Sequence, residues 1–187
     1  MRLGIAKKIQ VFSYCYWILR CRFAYFLEGG TGLSRIIILL PKIHIIRILK
    51  TFGAKIGENC DIETGIQFNN CMTLNHLIIG TNCHVGKNCF FDLRDTISIG
   101  NNVVISMQNT FITHLDMNKS ELRTIFPANS KAISVSDNVY IGARSIILDG
   151  VTIQRNSVIG AGSLVNRDVQ PYSLNAGIPL KFIRNIE

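Results

Sequence analysis

From Val135 onward an aliphatic residue returns at every sixth position: Val135, Ile141, Ile147, Ile153, Ile159 and Val165, with Pro171 closing the series. Four residues after each stands a small or compact one: Val139, Ser145, Val151, Ser157, Ser163 and Val169. The same rhythm runs through Ile56, Ile62, Phe68 and Leu74. It restarts one residue short at Ile79, Val85 and Phe91, and again at Ile99, Ile105 and Phe111. A period of six matches neither a 3.6-residue helix nor a two-residue alternation. It predicts short strands joined by tight bends, each strand turning one large and one small residue inward. Three strands to a triangular turn take ~18 residues, so residues 56–176, less one insertion, make about six coils around one apolar column. Gly follows the aliphatic position at 57, 80, 86, 100, 142 and 160, where a bend is expected to need positive φ. Asn recurs two residues further on, at 59, 82, 88, 102, 138 and 156, as a second bend-tolerant type.

The first third follows a different pattern. Ile5, Ile9, Phe12, Tyr16, Leu19, Phe23 and Phe26 alternate at spacings of four and three, which predicts a helix over 5–27. Other faces carry Tyr14, Trp17, Ile18 and Tyr25. A turn is expected at "EGGTG", followed by a second apolar stretch interrupted by Pro41. The chain therefore divides into a helical segment, 1–54, and a coiled β domain, 55–187, with a loop insertion at 112–132.

Charge sharpens that division. Residues 1–55 carry ten basic groups against the single acid Glu28, a net of +9, while the whole chain is +8. Two readings of this basic, apolar segment stay open. It caps the open end of the coil, as a solenoid requires, or residues 1–50 also seat on an anionic membrane surface. Nucleic-acid binding is not expected, because the segment is greasy and carries no recognisable reading motif. At 48% hydrophobic and 17% charged residues, a disordered chain is excluded. No apolar run reaches the ~18 residues of a spanning helix, and no export signal is expected. Six cysteines without zinc-finger spacing read as reduced thiols of a cytoplasmic protein, possible peripheral contact with the inner membrane face being the second localisation. Cys60, Cys83 and Cys89 fall on the small inward position and are expected to be buried.

The repeats, and above all "IGARSIILDGVTIQRNSVIGAGSLVNRDVQPYSLNAGIPLKFIR", are similar to the C-terminal signature of the hexapeptide-repeat acyltransferase family, nearest to the galactoside, maltose and polysaccharide O-acetyltransferases. The resemblance covers roughly residues 55–185. It implies a left-handed parallel β-helix, a homotrimer with active sites between subunits, and acetyl transfer from acetyl-CoA to a sugar or glycan acceptor, as in surface polysaccharide biosynthesis.

Between Phe111 and Ile133 the rhythm fails in a polar stretch that begins Thr113-His114, and such an excursion from a regular scaffold is where a site is usually built. Acyl transfer to a hydroxyl needs a base, for which imidazole is suited. The resemblance gives His114 that role. Asp116 is either its orienting acid or a plain loop acid. At a second break, "FFDLRDTISIG", the resemblance implies carboxylates that bind acceptor hydroxyls, and Asp92 is the residue expected to do so, with Asn88 nearby. By resemblance the donor meets Ser106, Ala143 and Ala161 along its pantetheine arm, and Asn166, Arg167, Lys181 and Arg184 at its nucleotide end, where phosphates favour cations. No metal is expected, since His84 and His114 lack partners at the spacing of the β-helix carbonic anhydrases. Two alternatives remain: N-acetylation of an amino-sugar nucleotide, and a non-catalytic β-helix that serves as an assembly module.

Overall fold

The computed structural model describes residues 2–186, with side chains from Lys7 onward, so the expectation for Ile5 lies outside the described side chains. Two helices precede the coil: α1 (Arg2–Ile37), bent at Gly29, and α2 (Lys42–Thr51). The bend replaces the expected turn at "EGGTG". Gly29 adopts φ 60°, which breaks the helical path at one residue, and the helix resumes beyond it. Pro41 stands at the N-cap of α2, where a missing N–H costs nothing.

The coil follows as triplets of strands. The first two turns are β1 (Lys55–Ile56), β2 (Asp61–Ile62), β3 (Gln67–Asn69), then β4 (Leu77–Ile79), β5 (His84–Val85), β6 (Phe90–Asp92). The third is β7 (Ile97–Ile99), β8 (Val104–Ile105), β9 (Thr110–Phe111). An antiparallel pair, β10 (His114–Leu115) with β11 (Asn129–Ser130), interrupts it before β12 (Ile133–Val135). Then come β13 (Tyr140–Ile141), β14 (Ile146–Ile147), β15 (Thr152–Ile153), β16 (Val158–Ile159), β17 (Leu164–Val165), and finally β18 (Ser173–Ala176) with the antiparallel β19 (Lys181–Asn185). Three parallel sheets form the faces of a prism: β1-β4-β7-β12-β15, then β2-β5-β8-β13-β16-β18 edged by β19, and β3-β6-β9-β14-β17. Five turns are complete and a sixth begins at Val169, which bridges Ile153.

Every aliphatic or aromatic residue of the six-residue series named above is buried, from Ile56 to Val165, in one continuous core, while Pro171, which closes the series, is exposed. The phenylalanines share one face, and Phe68, Phe91 and Phe111 stack with centroids 5.8 and 5.0 Å apart. At the small position, Cys83 and Cys89 are buried and Cys60 half-buried. Their thiols point at carbonyls of the next turn, Gly80 O for Cys60 at 3.1 Å and Gly100 O for Cys83 at 3.0 Å.

The bends divide their labour differently from expectation. All six predicted asparagines have positive φ, between 53° and 57°. The six predicted glycines do not. Gly142 is needed for close approach instead, because a Cβ there would lie 2.5 Å from the Ala161 nitrogen of the next turn.

The helical segment also departs from its sequence pattern. The stripe Ile9, Phe12, Tyr16, Leu19, Phe23, Phe26 faces outward, each residue at least 53% exposed. The opposite face of α1 packs: Tyr14 against His44, Tyr25 against Phe52, with Cys21 fully buried. His44 Nε2 lies 2.9 Å from Ser13 Oγ, and Ser34 Oγ donates to Phe68 O, tying α1 to α2 and to the coil. Apolar periodicity defines a face but not what covers it.

Candidate active site

Phe111 anchors the start of the insertion. With its ring stacked on Phe91, the chain leaves the third face at Ile112 and turns at the prism edge between the third and first faces. There Thr113, fully buried, locks onto the turn beneath: its N–H donates to Asp92 Oδ2 at 2.9 Å, and its hydroxyl lies 2.9 Å from Asp92 O. This fixes His114, whose backbone pairs with Ser130 across the strand pair that closes the excursion. Beyond Leu115 the arm carries Leu122, Ile125 and Phe126 exposed at its far end.

His114 Nδ1 stands 2.5 Å from Asp92 Oδ2, and Asn70 Nδ2 donates to Asp92 Oδ1 at 2.6 Å. Asp92 is 2% exposed, while the His114 side chain is 22% exposed. Burial works against the charge on Asp92, but the hydrogen bonds from His114, Asn70 and Thr113 outweigh it and hold the carboxyl below the ordinary range. A carboxylate accepts, so Nδ1 carries the proton and Nε2 presents a lone pair. Among the described residues no side chain bonds to Nε2. The arrangement is that of a positioned base beside a buried orienting acid.

This geometry redistributes the expected roles. Asp92, expected at the acceptor, is buried and bonds Thr113, Asn70 and His114, which places it under the base as well. Asp116 does not orient His114. It accepts from Arg94 at 2.9 Å and from the Asn118 N–H, and so steadies the arm. Asn88 lies on a different edge, between the second and third faces, exposed and in a positive-φ bend of φ 57°. Asn70 and Thr113 are the members that the sequence pattern did not single out. Asn70, Asp92 and His114 follow one another at intervals of 22 residues, about one turn, and that equal spacing is the signal that would have found them.

The donor residues are placed in two groups. Ala143 and Ala161 are level with each other on successive turns of the edge between the second and third faces, as Ile141 pairs with Ile159. Ser106 is on the same edge, one turn earlier, level with Gly142 rather than with Ala143. Lys181 pairs with Ala176 at the end of that edge, and Arg184 pairs with Leu174 further along the same strand; both are exposed. Asn166 and Arg167 instead lie on His114's edge, after β17, and are exposed. The small-residue edge and His114 are thus separated by the width of the third face, about 15 Å at ~3.3 Å per residue.

A cavity of about 940 Å³ opens against this face, between the end of α1 and the first two turns. Asn70 and Arg94, which contact the Asp92–His114–Asp116 cluster, form one wall, and Ile38, Leu39, Phe68 and Phe90 form much of the rest. The other histidines have structural ties: His44 to Ser13, His76 to the Leu93 carbonyl, His84 to Asp61. Among the described residues no group of three His, Cys, Asp or Glu could hold a metal ion.

Two family models match the coil: the "Bacterial transferase hexapeptide (six repeats)" over residues 132–167 and the "Hexapeptide repeat of succinyl-transferase" over 76–113. The galactoside O-acetyltransferase of Escherichia coli (strain K12) is 35% identical over 145 residues, covering 74% of this chain and 67% of that protein. The chain belongs to the hexapeptide-repeat acyltransferase family. The galactoside O-acetyltransferase of Lactococcus lactis subsp. lactis is 32% identical over 147 residues, covering 75% of this chain and 67% of that protein. Among solved structures, a maltose O-acetyltransferase from Clostridium difficile 630 superposes with a TM-score of 0.72 at 25% identity, covering 92% of this chain and 89% of that one. A galactoside acetyltransferase in complex with coenzyme A gives 0.64 at 28% identity, covering 93% and 82%. These are left-handed β-helices, and the family member described here coils with the same hand.

Proposed function

We propose that this protein transfers an acetyl group from acetyl-CoA to a sugar hydroxyl, with His114 as the general base, and that it does so in the assembly of a surface polysaccharide or glycan. The observation that carries the reading is the His114–Asp92 contact at the start of the one excursion from the coil. Nε2 of His114 takes the proton of the acceptor hydroxyl as its oxygen attacks the thioester carbon. The new C–O bond gives a tetrahedral oxyanion. Its collapse breaks the C–S bond, and the imidazolium returns the proton to the departing CoA thiolate. Asp92 keeps the imidazole in the tautomer that this step requires. Ser13 meets His44 on the helical segment, but among the described residues no Ser or Cys bonds to His114, so the transfer is written as direct, with no acyl-enzyme.

The cavity beside Asn70 and Arg94 is the place for the acceptor, and its mixed wall suits a sugar attached to a less polar group. Ser106, Ala143 and Ala161 are assigned to the pantetheine arm. Lys181 and Arg184, with Asn166 and Arg167, are assigned to the nucleotide end. Since the base and the small-residue edge lie a face apart, we place each active site between two chains of a homotrimer. There the His114 edge of one chain meets the alanine edge of the next. The exposed Leu122, Ile125 and Phe126 of the arm are assigned to that contact. The protein works in the cytoplasm, with residues 1–50 against a membrane.

A thiol-release assay with acetyl-CoA over a panel of sugars, nucleotide sugars and glycan fragments tests the reading. Turnover by the wild type that is lost in His114→Ala, with CoA binding retained, supports it. Turnover on amino-sugar nucleotides alone would replace it by N-acetylation. Absence of CoA binding would leave an assembly module.

A further inference from the structure

We infer that α1 lies along an anionic lipid surface through the stripe Ile9, Phe12, Tyr16, Leu19, Phe23 and Phe26, which refines the membrane contact proposed above. At 100° per residue these six fall within an arc of roughly 100°. All are exposed, Phe12 at 82% and Phe26 at 83%. Six large apolar side chains on one face form a continuous apolar strip, well beyond the scattered exposure of an ordinary surface. The strip is not a missing contact with the rest of the chain, because α1 is already held by its opposite face. Tyr14 packs on His44 with centroids 5.8 Å apart and lies under Arg47 at 3.8 Å, and Tyr25 packs on Phe52.

Charge identifies the occupant. From residue 2 to residue 27 the sequence holds basic groups and no acid, the first acid being Glu28. On the wheel, Arg22 lies just beyond one border of the stripe and Arg20 just beyond the other, with Lys8 at the first border. Arg20 stacks near Trp17 and Tyr16, at 5.3 and 5.6 Å from their ring centroids. Apolar side chains bordered on both sides by cations, with Tyr16 near one border, match the layers of a bilayer interface: acyl chains below, phosphates beside, water above. A second copy of this chain fits worse. Two such helices laid stripe to stripe would oppose Lys8, Arg20 and Arg22, and the helix's single carboxylate, Glu28, lies beyond the stripe and is paired with Arg35. No described helix is long and apolar enough to cross a membrane, so the contact lies in the interface plane.

Co-sedimentation with vesicles tests this, using the intact protein, phosphatidylcholine alone in one arm and phosphatidylcholine with a third of phosphatidylglycerol in the other. The expected result is at least tenfold tighter binding to the anionic vesicles, weakening with salt. Phe12→Ser/Phe23→Ser/Phe26→Ser should lose that binding tenfold or more. Because these side chains contribute little to the core, the variant's melting temperature and its CoA binding should stay at the wild-type values. Those two readouts separate this proposal from the acetyltransferase reading. The proposal is overturned if the intact protein stays in the supernatant with both vesicles, or if the variant binds as well as the wild type. It is equally overturned if the stripe variant changes only the assembly size and not the lipid binding, which would make the stripe a contact between copies.

Discussion

Nδ1 of His114 and Oδ2 of Asp92 are 2.5 Å apart although 22 residues separate them in sequence, because one turn of the coil stacks Asp92 directly beneath the insertion. The acid is buried and the base is reachable, the relation required of a base that must be held in one tautomer yet meet a substrate. Two substitutions separate the roles. His114→Ala should lower kcat by about 10²–10⁴-fold with little change in affinity for CoA. Asp92→Asn removes a charge-assisted hydrogen bond, for which about 1.5–3 kcal/mol gives a loss of roughly 10–100-fold. Steady-state kinetics with an acceptor that responds in the panel checks both. A larger loss for Asp92→Asn than for His114→Ala would contradict the assignment of base and orienting acid.

The same carboxylate makes the fold sensitive to acid. Its hydrogen bonds hold the folded-state pKa of Asp92 below its unfolded value of about 4. The stabilisation is therefore complete above about pH 4 and is lost as pH falls through the lower folded-state pKa. Denaturation followed from pH 6 to pH 2 should show the wild type losing stability more steeply below pH 4 than Asp92→Asn. An identical acid limb in the two proteins would remove Asp92 as its source.

Much of this molecule is legible in the chain because each inward residue of the coil recurs at a fixed interval. Ala143 and Ala161, eighteen residues apart, are level on successive turns for that reason. The pattern is weaker where the turns change length. Around Leu74 and again at the insertion the spacing shifts, which hides Asn70 from a six-residue reading and with it the contact of Asp92 with the imidazole. Side-chain chemistry alone could not decide that point. A carboxylate suits a sugar hydroxyl as well as an imidazole, and only stacking shows that the imidazole is in reach. The stripe on α1 is a different case. Phe12 and Phe23 have the spacing of a packing face, but Tyr14, Trp17, Cys21 and Tyr25 complete an alternative one, and the coil selects the face it fits.

Thiol chemistry should report the inward register. Cys89 is fully buried with its Sγ donating to Ser106 O at 3.3 Å, and burial pushes its thiol up to about 11. Burial likewise pushes Cys21 up to about 11, against the opposing effect of Arg20. At pH 8 about one thiol in a thousand of either would be ionised. Cys15 is exposed on α1. Timed labelling with a thiol-specific disulfide reagent should modify Cys15 in the native protein, and Cys21 and Cys89 only when it unfolds. Rapid native labelling of Cys89 would place it outside the core.

The bends offer a sharper test of why glycine and asparagine alternate along the edges. Asn138 has φ 57°, which costs an ordinary L-residue about 1–2 kcal/mol and costs glycine nothing. Asn138→Gly should therefore change stability by no more than about 1 kcal/mol, and Asn138→Val should be the damaging change. Gly142 has the opposite requirement. Its N–H donates to Ile159 O at 2.8 Å, so the two turns cannot separate, and a Cβ would lie 2.5 Å from the Ala161 nitrogen. Gly142→Ala should cost about 3 kcal/mol, and Gly142→Asn no less, even though asparagine tolerates positive φ. For a domain of this size that corresponds to a fall in Tm of about 6–12 °C. Thermal melts of the four variants would decide between the two causes: tolerance of Gly142→Asn would mean that glycine is there for its backbone freedom, and intolerance that the turns must touch.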